Sequence, residues 1–398
     1  MRNQLQSYFE RNNLIPKEHH GGLKGHSTLS CIANVDFSHK HIKERKKCTA
    51  ILATDLSAAF DMIDHSILIK KLKHYGISNN AASLIESFLS NRKCFVEIQG
   101  HRSKTKTCPP CSVIQGSKLS GFMYTIYSIE VPLLPKIMKD QQLAELLLEI
   151  RIPQYYGINH QTSQFVDDST NIVGTENFNE MNRYLNDFHN LLESYYHMNK
   201  LRMNAGKTKT IVTKNNELGK RISIKTKSGD TVQDDKALKI LGFIRNTRDN
   251  HEAHLGMVSS IVSNKLTELR PYLKFMNMKS RRETLYSKVA SIITHGLELY
   301  AGATQWTLQK VTALMMRCNR AIYMRDYMLI SNTRICNAIS VDPPLMMCRK
   351  ASVKLIQKIL RSEKQKQICD KIKFNSNPRK GFKKKVNKET ITGKSKDY

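Results

Sequence analysis

Thr49-Ala50-Ile51-Leu52-Ala53-Thr54-Asp55 is the stretch on which the fold reading turns. Six uncharged residues, three of them β-branched, read as a buried strand that ends in a carboxylate. Downstream, Ser66 to Tyr75 reads as a helix with Gly76 as its C-cap. Asn80 to Asn91 reads as a second helix, Phe95 to Ile98 as strand-like, and Leu119 to Leu134 as a helix after a glycine-containing turn. Upstream, Leu5, Phe9 and Leu14 fit one helix face until Gly21-Gly22-Leu23-Lys24-Gly25 breaks the pattern.

A second acidic element lies more than a hundred residues on. Gln164-Phe165-Val166 and Thr170-Asn171-Ile172-Val173 flank Asp167-Asp168-Ser169, which reads as a hairpin with an acidic tip. Met181, Tyr184, Leu185, Phe188, Leu191, Leu192 and Tyr195 then follow helical spacing. Further strands are expected at Thr210-Ile211-Val212, Ile222-Ser223-Ile224 and Leu238 to Ile244. Beyond about residue 246 the pattern is helical, with Pro343-Pro344 as a break. No internal repeat is visible.

These periods imply an α+β centre over 46–245, preceded by a short mixed segment over 1–45. An all-helical unit over 246–360 and a basic, disordered tail over 361–398 follow. The tail holds ten Lys or Arg beyond residue 370 against Glu389 and Asp397, with few apolar residues to bury.

If the strand ending in Asp55 lies beside the hairpin carrying Asp167 and Asp168, three carboxylates meet. Phosphoryl transfer to a growing strand uses two divalent ions about 3.5–4 Å apart, one at the attacking hydroxyl and one at the triphosphate. Magnesium takes oxygen ligands and needs few carboxylates. Adjacent carboxylates repel each other, so a cation favours the pair. Each feature alone has a plainer reading: Asp-Asp as an ordinary exposed turn, Asp55 as a strand-end or helix-cap residue. The combination carries the inference.

Composition points the same way. The chain has 398 residues, 40 % hydrophobic and 25 % charged, with 64 Lys and Arg against 34 Asp and Glu, a formal charge of +30. That excess suits a polyanionic partner, because each cation set on a phosphate releases a counterion. The nine cysteines are scattered; Cys108-Pro109-Pro110-Cys111 finds no second pair at zinc spacing. They read as reduced thiols of an intracellular protein, in nucleus or cytoplasm and not secreted. The start lacks an apolar signal region, and no apolar run reaches the roughly 20 residues that cross a bilayer.

Ala53-Thr54-Asp55-Leu56-Ser57-Ala58-Ala59-Phe60-Asp61-Met62-Ile63-Asp64-His65 resembles the first palm motif of reverse transcriptases of LINE-type, non-LTR retrotransposons. Val113-Ile114-Gln115-Gly116-Ser117-Lys118-Leu119 resembles their Pro-Gln-Gly-Ser motif, and Phe165-Val166-Asp167-Asp168 their aromatic-x-Asp-Asp box. Asn204-Ala205-Gly206-Lys207-Thr208 resembles their Asn-x-x-Lys-Thr motif, and Leu241-Gly242 the primer-grip element. Five motifs stand in the family's order, and the jockey and chicken-repeat branches match best.

The resemblance implies a right-hand polymerase fold with a palm, partial fingers and a helical thumb. It implies RNA-directed DNA synthesis on an RNA template and a DNA primer, from deoxynucleoside triphosphates, by a monomer with two Mg²⁺ ions, Mn²⁺ serving as a substitute. Asp55, Asp167 and Asp168 would hold the metals with the Leu56 carbonyl. Phe60 would exclude a 2′-hydroxyl; its plainer reading is a core aromatic. Gln115 and Gly116 would lie along the nucleotide and template, and Lys207 would approach the triphosphate. Asp61, Asp64 and His65 read as structural, capping the following helix.

The sequence also departs from the family. Ile114 stands where the family has Pro, and Ser120-Gly121 where it has Gly-Pro. Gly21-Gly22-Leu23-Lys24-Gly25-His26-Ser27-Thr28 resembles the fingers segment Gly-Phe-Arg-x-Gly-x-Ser-Thr, with Gly22 for the Phe and Leu23 for the Arg. The reading expects an N-terminally truncated member. Its alternative is a weakly active or inactive nucleic-acid-binding remnant. A splicing maturase shares the palm but would need a fuller fingers extension.

Overall fold

The computed structural model describes residues 1–140, 153, 155–215, 220–227, 229–323 and 330–361. The expected basic tail lies outside them, apart from Arg361. Two compact units form, Met1–Gly242 and Phe243–Tyr398.

The first unit is organised around β1 (Cys48–Thr54), buried along nearly its whole length. β6 (Asn159–Phe165), β7 (Asp168–Thr175) and β8 (Lys209–Lys214) complete an antiparallel sheet in the order β6-β7-β1-β8. β1 alternates as a two-faced strand must. Ala50 and Leu52 join a large cluster with Leu68, Phe122, Leu185 and Phe188. Ile51 turns to the other face with Val35, Ile42, Ile172 and Ile211.

Helices cover both faces. α1 (Arg2–Arg11) buries Leu5 and Phe9, while Leu14 follows the helix and packs on the same core. α2 (Thr28–Arg45) starts with a capping box between Ser27 and Ser30. It is pinned across the sheet by Asn34 Nδ2 donating to Ser163 Oγ at 2.7 Å and by a 2.7 Å His39–Thr213 hydrogen bond. α3 (His65–His74) is N-capped by Asp64, whose Oδ1 accepts from Ile67 N at 3.0 Å, and His65 Nε2 pairs with the Ser112 carbonyl at 2.8 Å. α4 (Asn79–Leu89) packs beside it.

A ribbon follows, built from β2 (Lys93–Cys94), β3 (Glu97–Ile98), β4 (His101–Arg102) and β5 (Lys106–Thr107). The expected Leu119–Leu134 helix ends early. α5 is Ser120–Tyr127, followed by a 3₁₀ turn at Val131–Leu133 and a one-turn helix, α6 (Leu134–Ile137). Pro132 and Pro135 explain the break, since neither can donate to a continuing helical ladder. α7 (Phe178–Met198) buries all seven residues whose spacing announced it.

β9 (Ser223–Lys225) and β10 (Thr231–Gln233) form a small hairpin. The strand expected over Leu238–Ile244 is interrupted: β11 (Ala237–Ile240) ends at Leu241 and Gly242, with φ of 47° and 87°. Two consecutive left-handed residues make a tight turn.

The second unit opens with β12 (Phe243–Asn246), and its other regular elements among the described residues are helices. Its longest helices are α8 (Glu252–Leu273) and α11 (Gln305–Tyr323), the latter coming after two shorter ones, α9 (Met278–Leu285) and α10 (Ser291–Thr294). α12 (Asn332–Ala338) and α13 (Pro344–Arg361) follow. Val258, Val262, Leu285, Val289, Val311 and Ile322 lie in its core. No helix among the described residues is long and apolar enough to cross a membrane.

Candidate active site

Strand register assembles the acids. β1 pairs with β7 so that Thr54 faces Ser169, which sets Asp55 and Asp168 at the same end of adjacent strands. β6 and β7 meet with Phe165 opposite Asp168, leaving Val166 and Asp167 as a two-residue turn. Val166 sits there at φ 58°. A β-branched side chain is disfavoured in that region, at a cost of about 1–3 kcal/mol, and it stays only where its surroundings hold it.

Those surroundings are specific. Residues Glu18 to His20 run along β6: His20 N donates to the Gln164 carbonyl at 2.8 Å, and Gln164 N to the Glu18 carbonyl at 2.9 Å. Gly21 then lies directly against the turn. A Cβ there would overlap the Val166 backbone nitrogen and come within 2.5 Å of Val166 Cγ2. Gln164 Nε2 donates to the Val166 carbonyl and to Ser128 Oγ, both at 3.0 Å. The acidic turn is thus wedged from one side and tied from the other.

On the opposite edge of β1, the loop before β8 pairs with residues 55–57. Asn204 N donates to the Asp55 carbonyl and Ser57 N to the Arg202 carbonyl, each at 2.9 Å, around a bridge between Leu56 and Met203. This pattern leaves the Leu56 carbonyl directed away from that loop. Asn204 also builds the turn that follows, accepting from Thr208 N at 2.9 Å and, through Oδ1, from Lys207 N at 3.2 Å. Lys207 Nζ consequently stands 3.6 Å from Asp55 Oδ2, an ion pair too long to be a hydrogen bond.

The electrostatics follow from crowding. Desolvation comes first and the neighbouring charges of Asp167 and Asp55 second in raising Asp168 to about 6. Asp168 opens to solvent, which screens part of that effect. Asp167 is raised as well, chiefly by desolvation and then by Asp55, with Lys207 acting in the other direction. Asp55 Oδ2 is buried without a hydrogen-bond partner. A buried carboxylate oxygen that lacks a donor, beside two reluctant carboxylates, suits a cation. Among the described residues, no three His, Cys, Asp or Glu side chains stand close enough to enclose a metal unaided. Magnesium does not require that, since it keeps waters and substrate phosphates around one or two carboxylates.

The other sequence-selected residues fall into two groups. Phe60 is half-buried and stacks on Tyr124, centroids 5.2 Å apart. Val113 N donates to the Phe60 carbonyl at 3.0 Å, which brings the Gln115-Gly116 turn alongside. Gln115 Nε2 reaches Asp61 Oδ1 at 3.4 Å, and Gly116, at φ 85°, has open space where a Cβ would stand. Tyr124, on which Phe60 stacks, feels the charges of Asp167 and Asp168. Leu241 and Gly242 form their own turn at the end of β11.

Sequence reasoning passed over Gly21, Gln164 and Tyr124. Tyr124 is buried with its hydroxyl unpartnered, and burial together with Tyr196, Asp167 and nearby charges holds its proton firmly. For Gly21 the available signal was the first glycine of the resembled fingers segment. For Gln164 and Tyr124 there was none beyond a polar residue in a buried strand and an aromatic in a helix.

Residues 1–245 match the family described as "Reverse transcriptase (RNA-dependent DNA polymerase)". A curated protein of Drosophila melanogaster, "Probable RNA-directed DNA polymerase from transposon BS", is 22 % identical over 342 residues, 80 % of this chain and 34 % of the relative. The chain thus spans about a third of that relative's length. Among solved structures, apo telomerase from Candida tropicalis overlaps 85 % of this chain and 56 % of its own, at 15 % identity and a TM-score of 0.40. Telomerase from Candida albicans with a fragment of telomeric RNA overlaps 93 % and 57 %, at 12 % identity and a TM-score of 0.38.

Proposed function

Because the chain belongs to the reverse transcriptase family, we propose that its first unit is the palm of an RNA-directed DNA polymerase of a non-LTR retrotransposon. It extends a DNA primer from deoxynucleoside triphosphates on an RNA template. One observation carries the reading: the Thr54–Ser169 register that brings the end of β1 beside the acidic turn.

Asp55, Asp167 and Asp168, with the Leu56 carbonyl, are the groups that would hold two magnesium ions. When bound, such ions lower the pKa of the attacking 3′-hydroxyl and neutralise triphosphate charge. The protein's own contribution is positioning and charge. Lys207, largely exposed and 3.6 Å from Asp55, is free to swing onto a triphosphate and screen the acids meanwhile. The Phe60 ring, backed by Tyr124, presents a flat wall where a 2′-hydroxyl would clash. Gln115 and Gly116 offer an exposed polar side chain and an unobstructed backbone to the nucleotide and template. The Leu241-Gly242 turn serves as primer grip, and the helical second unit as thumb.

Primer extension on an RNA template with Mg²⁺ or Mn²⁺ tests the reading. Extension that dies with Asp55→Asn supports it, and extension unaffected by that change refutes it. Phe60→Val should raise ribonucleotide incorporation roughly tenfold or more; unchanged rejection by the folded variant would make Phe60 a core residue only.

A second reading, a nucleic-acid-binding remnant with little turnover, draws on the fingers segment. Leu23 replaces an arginine there and is drawn partly into the core, so it offers no charge to a triphosphate. Leu23→Arg should raise extension under the first reading and leave it at background under the second.

A further inference from the structure

The ribbon between α4 and α5 has no place in the chemistry above, yet it carries a distinct surface. Lys93 pairs with Thr107, Cys94 with Lys106, Glu97 with Arg102 and Ile98 with His101. Ser103 N donates to the Val96 carbonyl at 2.9 Å, so the ladder continues between the two halves. Phe95 alone therefore faces both Lys104 and Thr105, a bulge that twists the ribbon. Residues 93–107 are exposed throughout.

What the ribbon exposes is unusual. Phe95, Val96 and Ile98 are 46 %, 61 % and 67 % exposed. Interleaved with them are Lys93, Arg102, Lys104 and Lys106 against one acid, Glu97. Glu97 is taken by Arg102, whose Nε donates to its carboxylate at 2.6 Å while the guanidinium lies 4.8 Å from the Phe95 ring centroid. Lys93, Lys104 and Lys106 have no acidic partner among the described residues. An apolar strip alone would suit a protein partner. An aromatic ring under a guanidinium, flanked by three uncompensated lysines, suits a phosphate backbone with unstacked bases. A stacking ring needs an unstacked base, which a single strand offers and an intact duplex does not.

We propose that residues 93–107 bind single-stranded RNA, with Lys93, Lys104 and Lys106 on phosphates and Phe95 against a base. Taking RNA rather than DNA rests on the polymerase reading above, in which the template is RNA. Binding is measured without nucleotide or metal, so it stands or falls independently of catalysis.

The test is fluorescence anisotropy of the full chain with a labelled single-stranded RNA of mixed sequence, over a range of salt. Lys93→Gln/Lys104→Gln/Lys106→Gln should flatten log affinity against log salt by about 2, at about 0.7 per lost phosphate contact. Phe95→Ala should weaken binding about 5- to 150-fold and leave that slope alone. Affinity and slope within twofold of the parent in both variants would overturn the proposal. So would a loss seen on DNA of the same sequence and not on RNA. A partner of another kind is also tested: if Ile98→Lys abolishes self-association while RNA affinity is unchanged, the surface is an interface between copies. Photocrosslinking of 4-thiouridine RNA to the unaltered chain needs no folded variant, and crosslinks that miss residues 93–107 count against the proposal.

Discussion

The β6–β7 hairpin and the ribbon hairpin both close on two residues, under opposite conditions. At the ribbon tip, Gln99 and Gly100 have φ of 50° and 84°, and a Cβ on Gly100 would meet nothing within 4 Å. Its second residue is the type that geometry favours, and nothing stands where that residue's Cβ would be. At the acidic tip a valine occupies the left-handed region, with Gly21 pressed against it and Gln164 tied to its carbonyl. Strain persists there because the neighbours over-determine the backbone. Local preference shapes the exposed turn, while the turn carrying the acids is imposed from outside. A position fixed by its neighbours is reproducible, which is what carboxylates serving a metal need.

The comparison breaks most sharply at the acids. Asp167→Asn should lower primer extension by roughly 1,000-fold or more, beyond the loss from one preorganised charged group. The melting temperature should hold or rise, since one of three mutually repelling carboxylates is gone. Extension at the parental rate would end the assignment.

Next comes the wedge. Gly21→Ala forces the Val166 turn to move, and a displacement near 1 Å is worth about 100-fold in rate. We expect that loss in kcat, read in steady-state extension, with RNA affinity within twofold of the parent. Parental kcat in Gly21→Ala would show that the turn does not depend on its neighbour.

A pH series sharpens the contrast further. Asp168 is raised from 3.8 to about 6, so the folded, metal-free chain holds its proton more tightly than the unfolded chain does. The sign follows: this group's stability contribution is complete below about pH 4 and is lost as pH rises through about 6. Magnesium must displace that proton, so its affinity should weaken about tenfold per pH unit below 6. In calorimetry, the melting shift caused by Mg²⁺ should shrink by about 2–4 °C per pH unit from pH 6 to pH 5. Asp168→Asn should abolish the trend, and equal shifts at both pH values in the parent would contradict it.

The smallest effect belongs to the free turn. Gly100→Ala meets no neighbour, so only its left-handed backbone objects. We expect a loss of about 1–2 kcal/mol in the ribbon alone, visible as faster amide exchange over 93–107, with primer extension unchanged.

This contrast also explains what the sequence made legible. β1 and α7 announced themselves through local periodicity, and the local pattern is what the structure obeys there; the acidic hairpin was legible too, but its tip, read as Asp167-Asp168-Ser169, lies one residue earlier at Val166-Asp167. Lys207 was legible as part of a motif, but its approach to Asp55 depends on a loop pairing some 150 positions away in sequence. Gly21 against Val166, Phe60 on Tyr124 and Gln164 on Ser128 join distant segments that no period connects. The helix expected through Leu134 failed because apolar spacing outvoted Pro132. Leu238–Ile244 failed as one strand because a leucine was not suspected of the left-handed region.

The central place of β1 has a consequence for how the chain is made. Its partners are β7, opposite residues 169–175, and β8, opposite residues 209–214. Both arrive long after it on the ribosome. At about 5–20 residues per second, β8 emerges roughly 8–30 s after β1. Until β7 follows, roughly 6–24 s after β1, a short apolar strand waits with both edges unpaired, the state most open to aggregation, and one edge stays open until β8 arrives. Helices α3 and α4, which form early and locally, are available to shelter one face of it. Slowing synthesis between residues 60 and 160 should therefore lower soluble yield more than slowing it beyond residue 214.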